Sequence, residues 1–194
     1  MKRVLVAMSG GVDSSVTAFL LKEQGYDCIG VTMKLYDGED ERESTCCSLR
    51  DVEDAKSVCH RLGIPHYTFN FTGDFEQQVI RPFIESYEQG RTPNPCIDCN
   101  RRLKFQRLYH RAMELGCDYI ATGHYVRRRE EPDGTICLYK ALDQEKEQSY
   151  VLYNMTQEQL RRTLFPLGEL TKPQVREIAE REGFLNAKKH DSQD

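Results

Sequence analysis

The sequence lacks the features that would assign it to a membrane, to the secretory pathway or to a disordered class. It has no run approaching the roughly 18 apolar residues that a membrane-spanning helix requires. The apolar run in the N-terminal MKRVLVAMSGG is too short for a signal peptide and no cleavage site follows it, which indicates a buried first strand. No internal repeat and no low-complexity segment interrupts the chain. We therefore expect a cytoplasmic protein without membrane association.

The composition supports a folded domain with an ordinary core. Hydrophobic residues make up 39% of the 194-residue chain, which is enough to bury a sizeable interior. The net charge of −4 argues against a uniformly basic nucleic-acid binder, although RRLKFQRLYHR and VRRR offer local positive charge. The 8 cysteines do not indicate a disulfide framework, because strand and helix patterns run throughout the chain. Small core residues are predicted at Cys28, Cys59, Cys117 and Cys137.

Strand and helix patterns alternate through most of the chain. The segments KRVLVAMS, YDCIGVTMK, IPHYTFNF and CDYIATGHY have strand character, and helical segments separate them. This alternation predicts an α/β fold with a mainly parallel sheet and helices on both faces. A hairpin insertion is expected over residues 126–143, around the turn sequence PDG, and two short helices follow it. Because KKHDSQD carries no helix end or turn signal, we expect residues 1–194 to form one domain that is truncated at its C-terminal end.

The stretch AMSGGVDSS places two glycines and several hydroxyl groups between the first strand and the first helix. It matches neither G-x-x-x-x-G-K-[ST] nor G-x-G-x-x-G. Backbone amides at Gly10, Gly11 and Val12, serine hydroxyls and a helix N-terminus together make an anion site that suits phosphate. Asp13 would repel a bare phosphate, but it can hold Mg²⁺ beside one. A plain strand-to-helix turn with a good cap is the alternative, and it needs fewer of these residues.

SGGVDS resembles the pyrophosphate-binding loop of the ATP pyrophosphatase superfamily, whose domains have the adenine nucleotide alpha hydrolase-like fold. Its members cleave ATP to AMP and pyrophosphate while they adenylate a substrate. The nucleotide lies across the carboxyl ends of the strands. The resemblance therefore implies that ATP binds here with Mg²⁺ held through Asp13. The implied nucleotide contacts are Ala7, Met8, Ser9, Gly10, Gly11, Val12, Asp13, Ser14, Met33 and Gly123.

A second loop, TPNPCIDCNRRLKF, carries the pair Cys96 and Cys99. Two prolines stiffen this loop, and we predict that a helix begins after it with Asn100 as the N-cap. A helix N-terminus and nearby cations favour the thiolate form of a cysteine. We therefore expect Cys99, directly before the predicted cap, to be more reactive than Cys96.

The C-x-x-C spacing of Cys96 and Cys99 also leaves metal binding open. Together with Cys46 and Cys47 the pair could form a four-thiolate zinc site, although adjacent cysteines are an awkward pair of ligands. An iron–sulfur cluster would need a third cysteine beyond the chain end.

Seven short segments extend the resemblance to one family. In order, AMSGGVDSS, VTMK, CCS, PNPCIDCN, LKF, ATGHY and KEQSYVLY resemble the bacterial tRNA-specific 2-thiouridylases along nearly the whole chain. The resemblance implies that ATP activates the C2 oxygen of the wobble uridine, that a cysteine persulfide delivers sulfur, and that AMP leaves. It identifies residues 1–194 as an ATP-pyrophosphatase catalytic domain. The implied partners are tRNA and a sulfur-donor protein, either a cysteine desulfurase or a sulfur relay protein.

The same resemblance assigns roles to individual residues. Cys99 matches the first catalytic cysteine of the family, and the second would lie a few residues after SQD, beyond Asp194. His124 would lie near the tRNA, although it could equally be a buried histidine. Contacts with the target base are implied for Asn94, Pro95 and Cys96, and contacts with the tRNA for Lys146, Glu147 and Gln148.

Two other functions remain open. Another ATP-pyrophosphatase-type synthetase acting on a small substrate would need a glutamine-hydrolysing domain or partner, and PNPCIDCN would have no role in it. A cysteine-rich metal-binding RNA module would bind metal without binding ATP. Metal analysis and an ATP titration on the same sample distinguish these functions from tRNA thiolation.

Overall fold

A computed structural model describes residues 1–36 and 48–190 of the chain. Its strands are β1 Arg3–Ala7, β2 Asp27–Lys34, β3 His66–Asn70, β4 Tyr119–Ala121, β5 Val126–Glu130, β6 Ile136–Lys140 and β7 Thr163–Leu164. Its α-helices are α1 Val12–Glu23, α2 Leu49–Leu62, α3 Thr72–Phe75, α4 Arg81–Glu88, α5 Pro95–Asp98, α6 Tyr109–Glu114, α7 Gln157–Arg161 and α8 Lys172–Arg181. Two π-helices, Glu76–Ile80 and Cys99–Leu108, and a 3₁₀-helix, Ser149–Leu152, complete the described elements.

A parallel five-stranded sheet forms the centre of the fold, in the order β3-β2-β1-β4-β7. Side chains of β1 alternate between its faces, as expected for a strand that is buried on both sides. Val4 and Val6 pack with residues of α1, α2 and α8, whereas Leu5 packs with residues of the second π-helix and α6. The predicted α/β fold with helices on both faces is therefore confirmed. The fourth strand is shorter than the segment CDYIATGHY suggested, because β4 ends at Ala121.

The order of the strands reverses at β1. From β1 the chain moves outward to β2 and β3 on one side, and then returns to β4 on the other side. In open parallel sheets the crevice beyond the carboxyl ends of the strands at such a reversal is where ligands bind. The loops that follow β1 and β4 meet at this position, so the glycine loop of residues 8–11 lies where a nucleotide site is expected.

Strands β5 and β6 form a separate antiparallel pair, with Val126 opposite Lys140. This pair lies within the range for which a hairpin insertion is expected. It is tied to α7 by Gln157, whose amide accepts from Ile136 N at 2.8 Å and donates to Ile136 O at 2.9 Å. Arg128 Nε adds a bond of 2.7 Å to the carbonyl of Leu160 at the end of α7. No helix within the described ranges is long and apolar enough to cross a membrane.

Candidate active site

The loop between β1 and α1 requires glycine at position 10 for two reasons. Gly10 has φ +77, a backbone conformation that residues with a side chain adopt at a cost. A Cβ atom there would also lie 2.3 Å from the backbone oxygen of Asp51, which belongs to the first turn of α2. Gly11 follows as the N-cap of α1. The backbone of the loop therefore runs directly beside the start of a second helix.

Serine hydroxyls of this loop bond to the loop itself. Ser14 Oγ donates to the carbonyl of Gly11 at 3.1 Å and accepts from the backbone N–H of Ser9 at 3.2 Å. Ser15 Oγ donates to the same Gly11 carbonyl at 2.9 Å. The sequence analysis assigned these hydroxyls to an anion. In the structure they hold the turn in shape, which leaves backbone amides as the donors that face outward from a helix N-terminus.

Three helix N-termini converge on the loop. α1 begins in it, α2 begins beside Gly10, and α8 begins with Lys172, whose ammonium group reaches Asp13. Ser48 caps α2 in a capping box with Asp51. Each helix N-terminus carries partial positive charge, which favours an anion nearby.

Lys172 is the main residue of the site that the sequence analysis missed. Its Nζ lies 2.7 and 2.8 Å from the two carboxylate oxygens of Asp13, and the residue is 8% exposed. Tyr125 Oη donates to the same carboxylate at 2.8 Å. A lysine in the first turn of a helix opposes the helix dipole, and that mismatch was the available signal.

Asp13 is therefore half of an ion pair rather than a preformed metal ligand. Mg²⁺ prefers several oxygen ligands in octahedral geometry, whereas the Asp13 carboxylate here has an ammonium group and a phenol hydroxyl as its partners. Mg²⁺ at this carboxylate would compete with Lys172. The contacts of Asp13 do not fit a protein-built magnesium site.

The residues predicted to bind the nucleotide lie at the carboxyl ends of the strands, at different distances from the glycine loop. A Cβ atom on Gly123 would lie 3.0 Å from Asp13 C and Ser14 N, so this glycine lets the loop after β4 approach α1. Met33 is buried near the end of β2 and pairs in register with Phe69 of β3. The remaining predicted contacts, Ala7, Met8, Ser9, Gly11 and Val12, belong to the β1–α1 connection.

Tyr125 connects the loop to the segment that was predicted to contact tRNA. Its side chain bonds to Asp13, while its backbone oxygen accepts from Gln148 N at 3.0 Å. Gln148 Oε1 in turn accepts from Tyr125 N at 3.2 Å. The Glu147 carboxylate accepts from the backbone N–H of Ser149 at 2.7 Å, and Ser149 is the first residue of the 3₁₀-helix.

Asp143 fixes the same segment from its other end. Its carboxylate accepts from Lys146 N at 3.2 Å and from Lys172 N at 2.8 Å. Backbone amides that bond to it, first that of Lys172, lower the pKa of Asp143. One ionised carboxylate therefore joins the segment of residues 145–148 to the start of α8.

The cysteine loop becomes helical earlier than predicted. α5 starts at Pro95, with Asn94 as N-cap and its Oδ1 accepting from Cys96 N at 2.9 Å. The prediction of Asn100 as the N-cap is wrong, because proline is well suited to the first position of a helix and the helix starts there. Asn100 instead donates from Nδ2 to the carbonyl of Cys96 at 2.9 Å.

This earlier start changes the argument for a reactive cysteine. Cys96 lies in the first turn of α5, whereas Cys99 is the first residue of the second π-helix. Both thiols are half-buried and not in a disulfide. The helix N-terminus thus favours the thiolate of Cys96, and the assignment of Cys99 as catalytic depends on the resemblance alone.

His124 is a buried residue. It is 7% exposed, its Nδ1 lies 2.6 Å from Thr122 Oγ1, and its ring packs against Phe105 and Phe165. Burial, assisted by the positive charge of Lys104, lowers the pKa of His124 well below its ordinary value. The imidazole is neutral at physiological pH. These contacts favour the buried-histidine alternative, and a contact with tRNA stays a prediction.

The remaining cysteines divide into two groups. Cys28, Cys59 and Cys117 are buried, and burial raises the pKa of Cys28 to about 11 and that of Cys59 to about 12. Cys137 is half-buried. Cys46 and Cys47 lie outside the described residues. Among residues 1–36 and 48–190 no group of three or more His, Cys, Asp or Glu side chains is placed to hold a metal ion.

The predicted substrate-binding segments are neighbours in space. The 3₁₀-helix that follows Gln148 packs against α5 and against the second π-helix. Asn94, Pro95 and Cys96 are thus close to residues 149–152, which adjoin the contact of Tyr125 with Asp13 after the glycine loop. The structure brings the two groups of predicted RNA-contacting residues to one side of the sheet edge.

The parallel sheet, its strand reversal and the glycine-rich loop at that reversal have the architecture of an α/β domain with the ATP pyrophosphatase-type fold. The chain belongs to the tRNA methyl transferase HUP domain family, whose model matches residues 2–194.

Curated relatives of this chain share about half of its residues. A "tRNA-specific 2-thiouridylase MnmA" from Clostridioides difficile (strain 630) is 52% identical over 196 residues, which covers 100% of this chain and 54% of the relative. A protein of the same name from Carboxydothermus hydrogenoformans is 54% identical over 198 residues, with the same coverage of 100% and 54%. The chain thus spans about half the length of the curated relatives it matches.

Solved structures with low sequence identity share the fold. The crystal structure of a 4-thiouridine synthetase–RNA complex with bound ATP has a TM-score of 0.63 and 19% identity, covering 100% of this chain and 44% of that one. NMN synthetase from Francisella tularensis has a TM-score of 0.57 and 19% identity, covering 98% of this chain and 66% of that one.

Proposed function

We propose that this chain is the ATP-dependent catalytic domain of a tRNA 2-thiouridine synthase. Relatives named tRNA-specific 2-thiouridylase, at 52% identity across the whole chain, support the substrate and the reaction. The observation that carries the proposal is the continuous set of contacts from Asp13 through Tyr125 to Gln148. It joins a phosphate-binding loop to a segment beside the cysteine helix. Residues 1–194 form the catalytic domain in this proposal, and residues 126–143 are an insertion in it.

ATP would bind with its phosphates on the loop. The amides of Gly10, Gly11 and Val12 lie at the positive end of α1, and the ion pair of Lys172 with Asp13 lies beside them. Gly123 lets the loop after β4 lie directly against the start of α1, and the base and ribose would cross the sheet edge beside it. The 4-thiouridine synthetase of the same fold has ATP in its RNA complex, which supports ATP as the nucleotide.

Adenylation is the first step. The C2 oxygen of the wobble uridine attacks the α-phosphorus of ATP, an O–P bond forms, and the bond to the bridging oxygen breaks so that pyrophosphate leaves. Negative charge grows on the leaving pyrophosphate. Donors that are already in place before the reaction stabilise such charge best, and the loop amides would have this role.

Sulfur transfer is the second step. The terminal sulfur of a cysteine persulfide attacks C2, and the C2–O bond breaks so that AMP leaves with the former C2 oxygen. The Cys99 thiolate then attacks the inner sulfur of the persulfide. The electron pair of the broken S–S bond passes to the transferred sulfur, which gives 2-thiouridine and a disulfide between Cys99 and the donor cysteine. A thiol reductant restores both cysteines.

The base must leave its stack for this chemistry. The extruded uracil would be approached by Asn94, Pro95 and Cys96. The anticodon loop would contact Lys146, Glu147 and Gln148, and His124 would lie near the tRNA. Arg101 and Arg102 are exposed on the second π-helix, which follows α5, and they would supply positive charge for contacts with tRNA phosphates. With such a substrate the enzyme would act in the cytoplasm.

Metal ions and the sulfur donor are further parts of the proposal. Mg²⁺ would arrive with ATP, and none of the steps above depends on it. The predicted ligand Asp13 does not fit that role, because its carboxylate is paired with Lys172. Zinc or an iron–sulfur cluster at Cys96 and Cys99 would require ligands beyond the described residues. The persulfide sulfur would come from a cysteine desulfurase or a sulfur relay protein.

The test compares this 194-residue chain with a chain extended at its C-terminus to the length of the relatives. Both are incubated with unmodified tRNA, ATP and a sulfur donor, and 2-thiouridine is measured by mass spectrometry of the nucleosides. We expect both chains to bind ATP and only the extended chain to thiolate tRNA. Thiolation by the 194-residue chain at the rate of the extended chain would contradict a donor cysteine beyond Asp194. ATP binding by neither chain would contradict the proposed function.

A further inference from the structure

The segment Phe184–Lys189 packs against the side of the phosphate loop that faces α8 and α2. Phe184 is buried and its ring meets that of Phe19 of α1 edge-on at 6.4 Å. Arg176 of α8 donates from Nη1 to the carbonyls of Ala187 at 3.1 Å and Lys189 at 3.0 Å. The backbone of this segment is thereby fixed to two helices. The side chains of this segment therefore contact the loop from a fixed backbone.

Asn186 contacts the loop directly. It is 3% exposed, and its Nδ2 donates to the carbonyl of Gly10 and to Ser15 Oγ, each at 2.9 Å. Rotating the Asn186 amide by 180° would place Oδ1 against the Gly10 oxygen. Two acceptors repel each other, so Nδ2 is the atom that faces Gly10. Oδ1 is buried without a hydrogen-bond partner among the described residues. The stabilising contacts of Asn186 are those that its NH₂ group makes with the loop.

Lys189 reaches the same carbonyl. Its Nζ lies 3.4 Å from Gly10 O, and 2.6 Å from carboxylate oxygens of Asp51 and of Asp54 at the start of α2. Burial acts to lower the pKa of Lys189, but the hydrogen bonds to the two carboxylates outweigh it and the pKa is raised. The ammonium group is therefore charged when it approaches Gly10.

The Gly10 carbonyl belongs to the same peptide unit as the Gly11 N–H. In a trans peptide these two groups point in opposite directions, and the bond between them does not rotate freely. Holding the carbonyl on the side of Asn186 and Lys189 therefore turns the Gly11 N–H to the other side. A cationic donor on the carbonyl also polarises the unit and makes its N–H a stronger donor.

We propose that Asn186 and Lys189 are positioning residues of the phosphate loop: by holding the Gly10 carbonyl they orient and polarise the Gly11 N–H towards the bound phosphate. The proposal rests on the proposed use of this loop for ATP. It assigns a role in nucleotide binding to residues that lie more than 170 positions away in the sequence.

The test uses a matched pair of variants in the 194-residue chain. Lys189→Met removes the ammonium group that reaches Gly10, and Lys188→Met removes the same charge from the exposed neighbour. Asn186→Leu keeps the approximate shape of the side chain without its donors. Calorimetric titration with inorganic pyrophosphate, and separately with ATP, measures affinity. We expect Lys189→Met and Asn186→Leu to bind pyrophosphate roughly tenfold more weakly than the unaltered chain, and Lys188→Met to match it.

The Gly11 amide resonance gives a second readout that needs no ligand. In ¹⁵N-labelled protein we expect it to shift in Asn186→Leu and Lys189→Met, and to return towards its original position in Lys189→Arg, which restores a cationic donor. An unchanged Gly11 resonance with unchanged pyrophosphate affinity in folded variants would overturn the proposal. Failure of the unaltered chain to bind ATP would contradict the proposed function, while the resonance would still decide the role of Asn186 and Lys189.

Discussion

Single residues of the site differ in how far the sequence reveals them. Gly10 and Gly11 stand out because consecutive glycines between a strand and a helix point to a special backbone, and the structure gives Gly10 a positive φ. Lys172 is harder to find: its place in the first turn of a helix is unusual, but its partner Asp13 is 159 positions away and the sequence does not connect the two. Asn186 and Lys189 are hidden for the same reason. Contacts made by the tertiary fold leave no periodicity in the sequence.

The crowding at Gly10 predicts a specific cost for a methyl group. Gly10→Ala suffers both an unfavourable φ and a Cβ only 2.3 Å from Asp51 O, whereas Gly25→Ala suffers the unfavourable φ alone, with no atom within 4 Å. We expect Gly25→Ala to lower the free energy of unfolding by about 1 kcal/mol and Gly10→Ala by about 2–4 kcal/mol. Urea denaturation of both variants measures this difference. Equal losses would show that α2 does not crowd the loop.

Burial of His124 predicts a pH dependence of stability. The pKa of His124 lies below its ordinary value of 6.5 in the folded protein, so the unfolded chain takes up a proton first as the pH falls. Stability that is present above pH 6.5 is therefore lost below it. Between pH 7.5 and pH 5.5 one such histidine lowers the free energy of unfolding by about 1 kcal/mol.

The matched variants for this prediction are His124→Gln and His110→Gln. His110 is exposed, so its replacement should leave the pH dependence as it is. His124→Gln should make the free energy of unfolding less dependent on pH over the same range. Some dependence will persist, because burial also lowers the pKa of His66. A pH profile of His124→Gln that coincides with that of the unaltered chain would show that this ring is accessible to protons.

At the scale of elements, the order of strands and helices was predictable and the start of one helix was not. Alternating apolar segments indicated the parallel sheet, because buried strands and amphipathic helices have different periods. The prolines of TPNPCIDCN predict a rigid loop, yet Pro95 is the first residue of α5 and Asn94 its cap. Proline fits both a rigid loop and a helix start, so the local pattern could not separate them.

The earlier helix start predicts the order of thiol reactivity. Cys96 lies in the first turn of α5, where the partial positive charge of the helix N-terminus stabilises a thiolate, and Cys99 lies beyond it. Iodoacetamide labelling at mildly acidic pH, followed by peptide mass spectrometry, should therefore modify Cys96 faster than Cys99. Asn94→Ala removes the side-chain cap and should reduce the difference. Faster labelling of Cys99 in the unaltered chain would mean that the basic side chains of the π-helix outweigh the helix N-terminus.

At the scale of the whole molecule, distant segments of the chain assemble one site around the glycine loop. Residues 9–15 supply the loop, residues 122–125 the adjacent β4 connection, and residues 172 and 186–189 the charges and donors around it. The sequence motifs indicated the first two segments and the family. They could not indicate the third, because α8 and the segment after it reach the loop only once the sheet has formed.

The central claim is that ATP activates the C2 oxygen of a tRNA uridine in this site. Transfer of ¹⁸O tests it most directly. Unmodified tRNA with ¹⁸O at C2 of the wobble uridine is incubated with ATP, a sulfur donor and the chain extended to the length of its relatives, and the AMP is analysed by mass spectrometry. The account predicts that each thiolation leaves one ¹⁸O atom in the phosphate of AMP. Thiolation that yields unlabelled AMP would contradict the account, because ATP would then have activated something other than the uridine oxygen.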